Sequence, residues 1–293
     1  MNQPNEDQNK QNKPYKRETL IPIPESESQV LNIQQSKILE NKFGIDILKQ
    51  LSTVNLEHLY FYHYKCESIN DLNWGCAWRS MQTVLKYQLS LSNQKKDKDI
   101  KFYNLFMKYG DKNTLINIFK EMTKNQDKSE AVNKLFKKKF APFEIDCGWA
   151  EPFISQLILY DFGFEGELFL INGYSTHSYA PKEVFSKTLK FSEFTEKLKN
   201  HFQQENPAPI IMDDSYISVC IIGVKFDKNN NIELLIMDPH VGDVKVVDNG
   251  IYIIFLNDEG IPLGKIPDKD VLVSNAVYFD NKNWMAYFPK KIK

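Results

Sequence analysis

The chain has 293 residues, 42% hydrophobic and 13% aromatic, which is enough to bury a large core and too apolar for wholesale disorder. Its 37 basic and 38 acidic residues leave a formal net charge of −1, without the basic excess of a nucleic-acid-coating protein. Four cysteines, Cys66, Cys76, Cys147 and Cys220, form no CxxC pair and no Cys/His zinc spacing, so neither a disulfide scaffold nor a zinc finger is expected.

Seven of the first thirteen residues are Asn or Gln. Such a composition buries too little surface to offset its chain entropy, so residues 1–44 read as a polar, extended or disordered tail. No secretory signal and no apolar run near 18 residues occurs, so neither export nor a transmembrane span is expected. The expected compartment is reducing, the cytoplasm. Residues 45–293 read as a single domain.

Between Asn93 and Phe140 lie thirteen Lys and six acidic residues, a local +7 that leaves −8 to the remainder. Leu105, Phe106, Leu115, Ile118, Phe119 and Met122 recur there at three- and four-residue steps, the spacing of an amphipathic helix. This Lys-rich helical insert is either a docking face for an acidic partner or ordinary solvated surface. Glu151–Phe162 and Phe191–Gln203 read as helices, and Leu168–Ile171 reads as a strand. Tyr216–Phe226 and Ile232–Met237, joined by an Asn-rich turn, form an antiparallel hairpin. Asp243–Val247, Ile251–Leu256 and Val271–Phe279 are further short strands. Helices first and sheet later give an α+β fold.

Two places carry chemistry. In Trp74-Gly75-Cys76-Ala77-Trp78-Arg79-Ser80-Met81-Gln82-Thr83, a glycine precedes a cysteine at the start of a helix-compatible run. At a helix N-terminus, unpaired N–H groups and the dipole favour a thiolate and can receive an oxyanion. Taken alone, the cysteine could equally be a small buried residue. The second place is Asp238-Pro239-His240, which ends a strand. A two-residue step puts the carboxylate and the imidazole on one side, although D-x-H alone is also a common surface strand end. A Cys at a helix start and an Asp–His pair at a sheet edge are together what a papain-like thiol hydrolase requires.

Tyr60-Phe61-Tyr62-His63-Tyr64, the Trp74–Thr83 motif and Leu234–His240 (LLIMDPH) together resemble the ubiquitin-fold-modifier-specific cysteine proteases, which carry a YYHY-type segment, GWGCAYRSLQT and Asp-Pro-His in that order. The resemblance runs from about Leu59 to His240. It implies a papain-like fold, with the nucleophile helix packed on an antiparallel sheet. It also implies Cys76 as nucleophile, His240 as base, Asp238 as its orienting carboxylate and Tyr64 as oxyanion donor. The implied substrate is the ubiquitin-fold modifier, cleaved after its C-terminal Gly as a precursor or from a target lysine. No metal or cofactor is called for. Trp74 and Trp78, beside the nucleophile, are either walls of a narrow groove or core aromatics.

The chain departs from this pattern in three places. Asn73 stands for the first glycine of GWGC. Asp213-Asp214-Ser215 replaces a Gly-rich run, with Val219 in place of a His in the next strand. Val241 follows Asp-Pro-His where an aromatic is usual. An autophagin-like protease is the nearest alternative, and a protease-fold binding or assembly subunit is the alternative of another class.

Overall fold

A computed structural model describes residues 29–72, 74–94, 100–123, 150–173, 180, 184–215, 217–241, 248–260 and 283–290. Within them the elements run β1 (Leu31–Asn32), α1 (Ile33–Ser36), α2 (Ile38–Phe43), α3 (Ile45–Leu48), β2 (Ser52–Thr53), β3 (Tyr60–Phe61), α4 (Cys76–Leu91), α5 (Phe102–Tyr109), α6 (Lys112–Thr123) and α7 (Pro152–Asp161). They continue as β4 (Gly166–Ile171), β5 (Lys187–Leu189), α8 (Phe191–Phe202), β6 (Ile210–Asp213), β7 (Ser218–Phe226), β8 (Ile232–Met237), β9 (Ile251–Leu256) and β10 (Trp284–Pro289).

One sheet organises the molecule, in the order β5-β4-β10-β6-β7-β8-β9, and β2 pairs with β7 beside it. Every pairing is antiparallel except β4 with β5. This is the mixed α+β, antiparallel-sheet architecture expected of a papain-like protease. The expected β7–β8 hairpin is present, turning at Asp227, whose carboxylate accepts from the Asn229 and Asn231 N–H groups.

Register decides which side chains meet the nucleophile helix. Cys220 pairs with Ile211 and Ser218 with Asp213, and paired residues share a face. Cys220 donates its thiol to the Ser80 carbonyl of α4, so Ile211, Asp213 and Ser218 also point towards α4. Tyr287, paired with Ile211, lies on that face as well. Its neighbour Phe288 lies on the other, where the Phe194 and His201 rings of α8 meet it. Helices thus cover both faces, and the sheet is apolar throughout its centre.

The central strand β10 comes from near the end of the chain, and all six of its residues are buried. A strand buried on both faces shows no alternation, so WMAYFP carries no period that marks it as a strand. Strands β6 and β5 are too short to declare themselves. The predicted strands Asp243–Val247 and Val271–Phe279 lie outside the described residues.

The Lys-rich stretch is woven into the core. Phe102, Leu105, Phe106 and Tyr109 of α5 are buried, as are Leu115, Ile118 and Phe119 of α6. Among the described residues Lys101, Lys108 and Lys120 are exposed, and residues 95–99 and 124–140 lie outside the described set. The polar-tail expectation is corrected from Gln29 onwards. Strand β1 pairs with β3, and Ile33 and Leu39 are buried, so a few apolar residues anchor this segment despite its polar composition. Residues 1–28 lie outside the described set.

Candidate active site

Helix α4 begins at Cys76 with Gly75 as its N-cap, and no side chain caps that end. The first-turn N–H groups therefore remain available to a ligand at the nucleophile. Gly75 is required for space. A Cβ there would sit 2.2 Å from Oδ2 of Asp71. Cys76 is 9% exposed, at the margin between core and surface.

The Cys76 side chain lies beside the His240 imidazole and the Tyr64 hydroxyl and acts on the titration of both. His240 Nδ1 lies 2.5 Å from Asp238 Oδ1, and the His240 backbone N–H donates to the same oxygen at 3.0 Å. The strand itself ends at Met237, so the Asp–His pair forms in the tight turn after β8 rather than along the strand. Burial alone would push the imidazole down. The Asp238 carboxylate, and then Cys76, more than compensate and hold it well above its usual value. Burial raises the Tyr64 phenol, and Cys76 raises it further, so the hydroxyl stays protonated and able to donate. The Tyr64 and His240 rings meet edge-on, with centroids 5.2 Å apart.

No motif marks Tyr252. Its hydroxyl donates to Asp238 Oδ2 at 2.9 Å, so both oxygens of the carboxylate are engaged. Tyr252 pairs with Ile236 across β8–β9, one diagonal step from Asp238. Only the strand register reveals this contact. Asp238 N–H donates to the Gly250 carbonyl at 2.7 Å, which extends the ladder one residue past the strand.

Arg79 pairs with two carboxylates: Nε donates to Asp71 at 2.6 Å and Nη1 to Glu67 at 2.9 Å. Gln82 donates to Glu67 at 2.8 Å and to the Ile100 carbonyl, away from the reaction centre. His63 is buried between the Tyr64 and Gln29 carbonyls.

Trp74 and Trp78 both pack edge-on or tilted against Phe102 and Phe106 of α5. Trp78 is 1% exposed, which corrects its assignment as a groove wall. Trp74 precedes α4 and Trp78 lies in its first turn, and α5 covers both. Trp74 keeps 7% exposure at the edge of this cluster.

The departures from the resemblance fall differently. Asp213 and Asp214 are 3% and 6% exposed, so neither offers a carboxylate to an incoming macromolecule. Burial, then Cys76 and Glu151, holds the Asp213 carboxyl well above the usual range. Val219 neighbours Cys220 in β7 and so points away from α4. Val241 is buried, and Asn73 lies outside the described residues. Among the described residues, no group of three or more His, Cys, Asp or Glu is placed to hold a metal ion.

The family model "Peptidase family C78" matches residues 50–108 and 170–251, which include Tyr64, Cys76, Asp238 and His240. No curated protein matches the chain. Among solved structures it is similar to the crystal structure of UfSP from C. elegans, at 16% identity and a TM-score of 0.47, over 83% of this chain and 34% of that one. The chain thus spans about a third of that protein's length. With its motif residues assembled at one site, the chain is similar to peptidase family C78 along both of the blocks that carry the chemistry.

Proposed function

We propose that this protein is a thiol protease and isopeptidase that cleaves after the C-terminal glycine of the ubiquitin-fold modifier. The observation that carries this reading is the Cys76 side chain, beside both His240 and Tyr64 at the uncapped start of α4. His240 takes the Cys76 proton, and the sulfur attacks the glycine carbonyl. The oxyanion is received by the Tyr64 hydroxyl and the Cys76 N–H, each such donor being worth about 3 kcal/mol. His240 then protonates the leaving amine, which departs and leaves a thioester. Water, deprotonated by His240, attacks the thioester and releases the glycine carboxylate and the free thiol. Asp238 keeps the imidazole oriented and supports its charge throughout.

Precursor trimming and release from lysine present the same glycine carbonyl, so one site serves both. A thiol nucleophile must stay reduced, which favours the cytoplasm. Lys101 and Lys120 are exposed on the α5–α6 segment, and the acidic partner belongs there.

The test is covalent labelling. A ubiquitin-fold modifier carrying a vinyl-methyl-ester tail is expected to label the wild-type chain and spare Cys76→Ala. Labelling by the corresponding autophagy-modifier probe instead would assign an autophagin-like substrate. Inertness to both in folded protein would leave only a binding or assembly role.

A further inference from the structure

Directly after Tyr64 the backbone is strained. Lys65, Glu67 and Ser68 have φ of 63°, 60° and 61°, in the left-handed region that non-glycine residues avoid. Three such residues in four persist only where the surroundings impose them. Here the constraint comes from the nucleophile helix. Arg79, one turn into α4, donates to the Cys66 carbonyl at 2.8 Å, to Glu67 at 2.9 Å and to Asp71 at 2.6 Å. Asp71 in turn accepts the Lys65 N–H at 2.8 Å and takes the Gly75 N–H on its carbonyl at 2.9 Å. Glu67 also accepts from Gln82 and from the Phe102 N–H at 3.0 Å. The guanidinium lies 4.2 Å over the Phe102 ring. Arg79 and Gln82 thus tie the segment that follows Tyr64 to the helix that begins at Cys76, and the Phe102 N–H adds a tie to α5.

We propose that the buried Asp71–Arg79–Glu67 array is a clamp that holds the strained 65–68 turn against α4 and thereby sets the Tyr64 hydroxyl at the nucleophile. The inference rests on the protease reading above, with Tyr64 as oxyanion donor. Asp71, Arg79 and Glu67 are positioning residues, and none of them touches substrate.

Asp71 and Arg79 are fully buried, so their removal threatens the fold. The Glu67 side chain is 16% exposed, and Glu67→Gln is the variant of choice. On a modifier–aminomethylcoumarin substrate, its kcat should fall about tenfold with KM within about twofold, because a transition-state donor is misplaced. Alkylation of Cys76 by iodoacetamide forms no oxyanion and should stay within about twofold of wild type. Added to Tyr64→Phe, Glu67→Gln should cost little more, because both act through one hydroxyl. A parallel fall in alkylation, or additive losses, would overturn the clamp. The crystal structure of Glu67→Gln decides without reference to turnover. Tyr64 withdrawn from Cys76 over an unchanged α4 is expected, and Tyr64 left in place sinks the inference. A wild-type enzyme inert to every modifier substrate would refute the protease reading, while that crystal structure still judged the clamp.

Discussion

The backbone N–H of Tyr64 donates to the carbonyl oxygen of Pro239 at 2.9 Å. One main-chain hydrogen bond therefore joins the segment bearing the oxyanion donor to the turn bearing the acid–base pair. These pieces are far apart in sequence and meet beside Cys76 at the start of α4. Pro239 cannot donate to a ladder, but its carbonyl remains an acceptor, and the Asp-Pro-His turn uses it to fix the position of Tyr64.

Tyr252→Phe should weaken the site without dismantling it. The variant removes a 2.9 Å hydrogen bond to a buried carboxylate. A bond to a charged group is worth about 1.5–3 kcal/mol, so thermal unfolding should register a loss of that order. kcat should fall several-fold with KM unchanged, because Asp238 touches His240 rather than substrate. Unchanged unfolding and turnover would show that Asp238 is held adequately by the remaining bonds.

The chemistry was far more legible in the sequence than the frame that holds it. Cys76, Asp238 and His240 announce themselves because the reaction demands those residue types beside a glycine and a proline, whereas only the family resemblance marks Tyr64. Tyr252, Asp71 and Glu67 are ordinary residues whose roles come from strand register and from a turn in left-handed conformation, neither of which has a local signature. The amphipathic period of α5 and α6 could be read from Leu105 to Met122. That their apolar side would cover Trp74 and Trp78 could not, since both options leave the same pattern. Strand β10 was invisible because full burial erased its alternation.

The pH dependence of the ion pair follows from His240. Its folded-state value is raised, chiefly by Asp238 working against burial. The stability it contributes is therefore fully present below the unfolded imidazole value, near pH 6.5, and is lost as pH rises through the higher folded value. Asp238→Asn should accordingly destabilise the protein more at pH 6 than at pH 10 in thermal unfolding. The alkaline limb of kcat should move to lower pH, with turnover down by about 10²-fold. An unshifted limb would separate His240 from the titrating group.

Asp213 works in the opposite sense. It is a buried carboxyl raised by burial, Cys76 and Glu151, so folding favours its protonated form, whereas the unfolded chain lets it ionise at the ordinary carboxylate value. Above the unfolded carboxylate value this costs stability, and below it the cost vanishes. Asn preserves the acceptor that receives the Ser215 N–H and abolishes the titration. Asp213→Asn should therefore raise Tm at neutral and alkaline pH and converge with wild type near pH 3. A lower Tm at pH 7 would show that the ionised carboxylate is the native species.

Trp78 offers a direct discrimination between core and groove. At 1% exposure against Phe102 and Phe106, its truncation to Ala should cost about 3–5 kcal/mol. Trp78→Phe keeps an aromatic ring in the cluster and should lower Tm while leaving KM for the modifier unchanged. A raised KM with intact stability would restore the groove assignment.

Gly75→Ala probes the closest packing in the site. Gly75 has φ of −84°, which any residue adopts, so backbone preference does not forbid the change. Space does, because the new methyl would lie 2.2 Å from Asp71 Oδ2 and 2.7 Å from its Cβ. Asp71 cannot swing aside freely, since its two oxygens hold Lys65 N–H and Arg79. Relief must come from moving either the start of α4 or the turn after Tyr64. Overpacking of this kind typically costs about 1–3 kcal/mol, and thermal unfolding should show it. Both routes of relief alter the Cys76–Tyr64 spacing, so kcat should fall by more than the stability loss implies at temperatures where the variant is fully folded. Wild-type turnover in folded Gly75→Ala would mean that the site absorbs the methyl by shifting Asp71 alone.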